Sequence, residues 1–453
     1  MKQGMSLGWR FRVPFVVFAA LATVQVACSS TDATPGEKIA PPPAGSSAGA
    51  GPTGGGASGT AGTSSGPLMA CTTKADCSTR GALCEAGVCA CTPDKPDTCG
   101  TGAAAVCASK AGDADNCGDC GTQCDAGATC NEGRCRAAPK DLATATGCGG
   151  GVRLAIEGAN LYWTEKATGK VRTMSIDGGA ITDVATGQRG PTQIAADANG
   201  VYWANQGDGS DASSQLMKRA LPLADGAPTV LKTATAADTF PAIAVGASKL
   251  YYALHTDVHQ ISTDEGVADD IIVGRSVTFS STAAPRVYGE VVNLAVSPTK
   301  VIWGSPGTRN VVETHDLTEW KDIADMTGYA RLGKTVTTTS DVGIDARYGY
   351  WRDGERFLRD VVDAKMALAE VVTLAPYSKL ITAFALNATA MYASTEDGSI
   401  FTHSLIPANP ADDNAIVAPV LIARNQTNVS SMVVDDTTLY WVTSDCNLRS
   451  TPL

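Results

Sequence analysis

From residue 151 onward the chain repeats one hydrophobic cadence: alternating apolar residues, a polar turn, then an apolar residue followed by aromatics. The aromatic triplet recurs as Leu161-Tyr162-Trp163, Val201-Tyr202-Trp203, Leu250-Tyr251-Tyr252, Val301-Ile302-Trp303, Gly349-Tyr350-Trp351, Met391-Tyr392-Ala393 and Leu439-Tyr440-Trp441. These seven copies are spaced by roughly 46 residues, the length of a four-stranded propeller blade and longer than helical repeats such as ankyrin. Alternation such as Gln193-Ile194-Ala195-Ala196-Asp197 or Met432-Val433-Val434-Asp435 predicts a strand before each triplet. Turn residues after it (Thr168-Gly169, Gly207-Asp208-Gly209, Asp353-Gly354, Asp397-Gly398) predict a hairpin. A third strand (170–176, 215–221) and a fourth (228–232) complete the unit. The fold class expected is all-β, a seven-bladed β-propeller over residues 137–453.

The seventh copy stops early, with room after Trp441 for one more strand, Cys446 to Thr451. Just ahead of the first repeat, Ala138-Pro139-Lys140-Asp141-Leu142-Ala143-Thr144-Ala145-Thr146 matches Ala227-Pro228-Thr229-Val230-Leu231-Lys232-Thr233-Ala234-Thr235 in length and punctuation. The second of these carries a fourth strand, so the first is expected to supply the missing outer strand of the last blade and remove an exposed edge. Antiparallel pairing would then bring Cys148 beside Cys446, and a disulfide is expected there. Closing so long a loop is worth on the order of 5 kcal/mol in the chain-entropy model.

Leu161-Tyr162-Trp163-Thr164-Glu165, running on to Ser175-Ile176-Asp177-Gly178, resembles the YWTD blade of lipoprotein-receptor ectodomains and related bacterial surface propellers. The likeness extends over 151–453 as blade pattern, with two departures: Glu165 stands where that family has Asp, and seven copies appear where it has six. The resemblance implies the fold and no particular ligand. Tyr and Trp at one strand position per blade read as packing between blades.

The first 27 residues carry Lys2, Arg10 and Arg12, then an apolar run from Val13 to Val26, and read as a signal peptide. Ala27-Cys28 after that run resembles the lipobox of bacterial lipoproteins, which implies lipidation of Cys28 and a membrane anchor; Gln25 departs from the pattern, and ordinary secretion is the alternative. Ser29 in place of Asp implies, by the same resemblance, the outer membrane or cell surface. The rest of 28–70 is Gly, Ala, Ser, Thr and Pro, a disordered linker of typical reach about 35 Å.

Residues 71–136 hold twelve of the fifteen cysteines, with few large hydrophobes. A segment this small cannot bury a sufficient core, so up to six disulfides are expected, in a connectivity that spacing does not reveal. Cys117-x2-Cys120 has no second pair at zinc-finger spacing and no histidine in the module, so no metal is expected. Asp115-Asn116-Cys117-Gly118-Asp119-Cys120-Gly121-Thr122-Gln123-Cys124, continuing to Cys130 and Cys135, resembles the short repeats of stigma-specific-like proteins, also met in large myxobacterial surface lipoproteins. That resemblance implies a spacer or a protein-contact surface.

Composition then narrows the function. With 46 acidic against 35 basic residues and a net charge of −11, the chain lacks the electrostatic footprint of a nucleic-acid binder. Gly328-Tyr329-Ala330-Arg331-Leu332-Gly333-Lys334-Thr335 fits the phosphate-loop pattern, but β-branched Val336-Thr337-Thr338-Thr339 follows where a helix is required. His255 and His259 lie four apart in a strand, too distant for a shared zinc; Asp208, Ser210 and Asp211 miss calcium-loop spacing and read as a solvated turn. No cofactor is expected. Connections from each fourth strand to the next first strand should line one mouth of the central channel, offering Arg189, Arg286, Lys334, Lys379 and Arg424 against Asp238 and Glu290. Such a ring suits an anionic glycan or a carboxylate-rich protein. The expected function is therefore non-enzymatic binding by a lipid-anchored envelope protein, the alternatives being a propeller lyase or glycan-cleaving enzyme, or a structural envelope component. No catalytic acid–base pair is apparent in the mouth loops.

Overall fold

The computed structural model describes residues 70–453 except 74–76, 78–81, 102–104, 126–127, 146–150, 208–212, 224, 236–237, 265–268, 281–282, 288, 307–310, 319–328, 335–340, 363–371, 377–378 and 406–418. At 277–280, 283–287, 329–331, 333–334 and 372–376 it describes backbone alone. The signal segment, Cys28 and the linker up to residue 69 lie outside the described residues.

Seven four-stranded antiparallel sheets make up the propeller. Blades 1 to 6 begin with first strands Val152–Glu157, Pro191–Asp197, Ile243–Gly246, Asn293–Val296, Val342–Ile344 and Ile381–Leu386. Blade 7 combines Ser431–Val434, Thr438–Val442 and Asn447–Pro452 with Lys140–Thr144, its outer strand, taken from ahead of blade 1. Lys140 pairs with Ser450 and Thr144 with Asn447, while in blade 2 Thr229 pairs with Lys218 and Thr233 with Gln215, so the matched segments occupy equivalent places residue by residue. The closing strand is fixed further by Arg449 Nε, 2.6 Å from Asp141 Oδ1, and by Thr144 Oγ1 donating to Asn447 Oδ1 at 3.0 Å. Every blade carries a β-bulge between its third and fourth strands, from Val171/Arg172 in blade 1 to Leu448/Arg449 in blade 7.

The first strands reveal why the ring closes. Residues paired across each hairpin with the first and third members of the aromatic triplet are apolar, as in Ile156 opposite Leu161 and Leu154 opposite Trp163. Between them sits a small residue in nearly every blade: Ala155, Ala195, Ala244, Ala295, Gly343 and Ala385, with Val433 in blade 7. The small residue faces the next blade and receives its two flanking apolar side chains: Ala155 receives Ile194 and Ala196, Ala295 receives Val342 and Ile344, and Val433 receives Leu154 and Ile156. Large-into-small packing thus repeats around the channel.

Trp163, Trp203, Trp303, Trp351 and Trp441 are fully buried between blades. A buried indole N–H favours an acceptor, and four of these five have one, Trp351 having none among the described residues. Glu165 accepts from Trp163 at 3.0 Å, Gln188 from Trp203 at 3.0 Å, Glu313 from Trp303 at 3.0 Å and Gln426 from Trp441 at 3.1 Å. Glu165, the departure from the YWTD pattern, is itself buried, accepting from Thr168 Oγ1 at 2.9 Å and pairing with Arg172 at 3.3 Å. The triplet tyrosines anchor the turn before them. In blade 7 Asp435 accepts from Thr437 N and Thr438 N, both at 2.7 Å, and from Tyr440 Oη at 2.9 Å, and Asp197 and Asp345 repeat the arrangement with Tyr202 and Tyr350. Burial pushes the Tyr440 hydroxyl up to about 12.

All twelve cysteines of the small module are paired, as Cys71–Cys84, Cys77–Cys89, Cys91–Cys107, Cys99–Cys120, Cys117–Cys130 and Cys124–Cys135. The first two and the last two bridges interleave in the same way, each pair around a tight hairpin whose turn residues, Ala86-Gly87 and Glu132-Gly133, all have positive φ. The module is therefore two equivalent hairpin units joined by Cys91–Cys107 and Cys99–Cys120. Cys117 and Cys120 bond to different partners and do not form a joint ligand pair. The second hairpin rests on the outer strand of blade 6, where Asn131 Nδ2, buried, donates to Ile422 O at 3.3 Å. One edge carbonyl of the propeller is covered in this way.

Cys446 is disulfide-bonded, and none of the twelve module cysteines is its partner; Cys148 lies outside the described residues. Cys446 closes the turn before the third strand of blade 7, which starts at Asn447, and its carbonyl accepts from Ala145 N at 2.8 Å.

Candidate functional site

Strands alternate direction within a blade, so turns from second to third strand emerge on the same face as loops from a fourth strand to the next blade. Hydrogen bonds weld the two sets together: Gln188 N donates to Gly169 O at 2.9 Å, Gly207 N to Arg189 O at 3.0 Å, Val291 N to His255 O at 2.7 Å and Gln426 N to Gly398 O at 2.8 Å. A Cβ on Gly169 or Gly398 would lie 2.6 or 2.7 Å from the carbonyl of Gln188 or Gln426, so these turns require glycine.

Of the expected mouth residues, Arg189, Lys379 and Arg424 are exposed on such loops. Arg286 falls in an additional hairpin, 277–280 with 283–287, inserted between blades 3 and 4, and Lys334 ends the outer strand of blade 4; the side chains of both lie outside the described residues. Asp238 is engaged by His255 Nε2 at 2.7 Å and by the hydroxyl of Thr235; the Thr235 bond foremost, then His255, holds its carboxyl below the usual range. His259 binds a different carboxylate, Asp270, at 3.1 Å. Asp208, Ser210 and Asp211 lie outside the described residues. Tyr329–Lys334, inside the phosphate-loop match, is a β-strand.

Two cations that the loop-based reading misses complete the picture. Arg153, on the first strand of blade 1, pairs across the hairpin with Thr164, and two residues on from Thr164 lies Lys166. Both line a cavity of ≈ 250 Å³ at the mouth, together with Thr192, Gln193, Gln206 and Ser430. Arg153 Nη1 donates to Ser430 O at 3.4 Å and Lys166 Nζ to Gln206 Oε1 at 3.3 Å. Lys379, Arg424, Arg153, Lys166 and Arg189 therefore follow one another along an arc from blade 5 through blades 6, 7 and 1 to blade 2. Among the described residues Arg153, Lys166, Arg189 and Arg424 form no ion pair with a carboxylate. The nearby Asp397 and Asp445 are turned into their own hairpins, accepting from Thr395 and Thr443; the Thr395 hydroxyl, with a smaller contribution from Lys379, keeps Asp397 below the usual range. Equivalent positions in blades 2 and 5 do not repeat the pair: Gln193 and Gln206 stand there in blade 2, and Asp341 and Gly354 in blade 5, where Asp341 is engaged by Arg352 at 2.7 Å. The other end of the channel is apolar, a cavity of ≈ 340 Å³ lined by Ile156, Val296, Ile344, Leu386 and Val434.

No protein-family model matches the sequence, and no curated protein does. Solved structures that it resembles include the computationally designed Ika8 protein (12% identity, TM-score 0.46, covering 69% of this chain and 100% of that one). They also include the WD40 β-propeller domain of Doa1 (12% identity, TM-score 0.47, covering 69% of this chain and 96% of that one). The seven-bladed architecture stands on the strand register above rather than on these matches.

Proposed function

We propose that this is an exported, lipid-anchored envelope protein whose propeller binds an anionic partner, glycan or protein, at the mouth carrying the basic arc. The observation that carries this reading is the run of cations from Lys379 to Arg189 on one face of a chain whose net charge is −11. Twelve paired cysteines in so small a module suit an oxidising compartment. Cys28 would take the lipid, and the Gly/Ser/Pro segment after it would hold the propeller clear of the membrane.

The test uses the full chain carrying Cys28→Ser, which should leave the membrane fraction and lose incorporated fatty acid. That soluble form is screened against acidic and neutral glycans and against solubilised envelope proteins. Acidic partners should be selected, and Arg189→Glu with Arg424→Glu should weaken them at least tenfold. Retention by neutral partners alone, or binding indifferent to both charge reversals, would sink the reading.

A further inference from the structure

The arc describes a surface; the cavity around the start of blade 1, walled by residues of blade 2 and by Ser430 ahead of blade 7, has the chemistry of a site. Its cations are one guanidinium and one ammonium held against opposite walls: Arg153 Nη1 donates to Ser430 O, just ahead of blade 7, at 3.4 Å, and Lys166 Nζ to Gln206 Oε1, on the blade 2 side, at 3.3 Å. Among the described residues Arg153 makes one hydrogen bond and Lys166 one, each to a neutral oxygen, which leaves most of their donors directed at solvent. The remaining wall is neutral and bifunctional. Gln193 offers amide N–H and C=O and Gln206 its amide N–H, while the hydroxyls of Thr192 and Ser430, which donate to Ala204 O and Val442 O, offer their oxygens as acceptors beside Gly151 and Val152. Among the described residues no aromatic ring lines the cavity, and none there offers a platform for a nucleobase or an aryl group.

We infer that this cavity holds a monoanionic sugar unit, with Arg153 and Lys166 on its carboxylate or sulfate ester and the two glutamines on its ring hydroxyls. The inference deepens the proposed function and rests on it. Size agrees: ≈ 250 Å³ falls just below the range of about 300 to 1,000 Å³ typical of drug-sized ligands, and suits one hexose-sized ring rather than a chain of them. Charge agrees too, because two cations oppose one anion without a buried carboxylate competing. Hydroxyl groups, which both donate and accept, are matched by a wall that does both.

Calorimetric titration of the soluble full chain with glucuronate, galacturonate, their methyl esters, glucose and glucose 6-sulfate tests this directly. Either uronate or the sulfate ester should bind at least tenfold more tightly than glucose or the neutral esters, and Arg153→Gln and Lys166→Gln should each weaken that binding about tenfold. Uronate oligomers distinguish a polymer from a free sugar as the natural source: a per-unit gain of threefold or more assigns the site to a polysaccharide, and equal affinity assigns it to the free unit, both in keeping with the inference. Lys166 lies in an open hairpin turn, so its variant remains informative should Arg153→Gln fold poorly. Equal binding of acid and methyl ester, or affinity within twofold of the parent in Lys166→Gln, overturns the inference. If an acidic partner sensitive to Arg189→Glu still binds when uronates and the sulfate ester do not, the cavity proposal falls while the reading of the mouth stands.

Discussion

Ile302 and Gly349, two departures from the aromatic repeat, face each other across the junction of blades 4 and 5: a Cβ on Gly349 would lie 2.6 Å from Ile302 Cδ1 and 2.4 Å from Leu332 Cδ1. Ile302 stands where six of the blades carry Tyr, and Gly349 where six of them carry Leu, Val or Met. The two substitutions compensate. Restoring the repeat by Gly349→Leu should therefore destabilise the fold, by about 1 to 3 kcal/mol for overpacking among fully buried neighbours. A denaturant titration that found Gly349→Leu neutral or stabilising would contradict this packing.

The closing strand should matter far more than the ion pair that decorates it. Asp141 is mostly exposed, so Asp141→Ala should cost less than about 1 kcal/mol despite the 2.6 Å contact with Arg449. Replacing 140–144 by a Gly/Ser segment removes a whole ladder and bares the edge of blade 7, and should lower Tm by on the order of 10 °C and promote aggregation. Differential scanning calorimetry with light scattering separates the two outcomes.

Cys446 has φ of 69° at the place where blades 1 and 6 use Gly169 and Gly398. A side chain there costs roughly 1 kcal/mol, which the disulfide must offset. Peptide mapping without reduction should join the Cys446 peptide to the one containing Cys148. A link from Cys446 to any peptide ending before residue 136 would refute the closure.

Two buried groups set opposing pH dependences. Burial pushes the Asp360 carboxyl up to about 6, so between about 4 and 6 the unfolded chain has released a proton that the fold retains, and stability falls as pH rises through that window. Burial first, and Arg359 second, push His403 down to about 4, so between 6.5 and about 4 the unfolded chain takes up a proton that the fold refuses, and stability falls as pH drops. Asp360→Asn should stabilise by on the order of 2 kcal/mol at pH 7 and by little at pH 4. His403→Gln should do the reverse, helping at pH 4 and not at pH 7. Urea titrations at the two pH values would decide it, and a gain at both from either variant would mean that packing rather than charge is responsible.

Much of the fold was legible because its information is local. The aromatic triplet, the aspartate five residues before each tyrosine in blades 2, 5 and 7, and the turn glycines are written within one hairpin and recur from blade to blade, and the match of 138–146 to 227–235 located the closing strand residue by residue. Disulfide connectivity was not legible, since interleaved bridges and nested ones can have the same spacings. The seat of the small module on blade 6 rests on contacts such as Asn131 with Ile422, 291 positions apart and without any periodic signature. Arg153 and Lys166 are absent from the mouth residues expected from sequence because the interblade loops include neither the first strands nor the hairpin turns that share their face. A lysine directly after the aromatic strand, in the turn of blade 1, was the available signal.

The strand Lys140–Thr144 also gives the molecule a mechanical order of failure. It is the outermost strand of its sheet and the first propeller strand met along the chain from the N-terminal side, so once the module's contact with blade 6 gives way, a tug from that direction meets its ladder with Asn447–Pro452 before any other strand of the propeller. Ahead of it, six sulfur bridges keep the small module from stretching. Under load this strand would peel away first, opening like a zip fastener from its slider as far as the bridge at Cys446, while the remaining blades keep their shape.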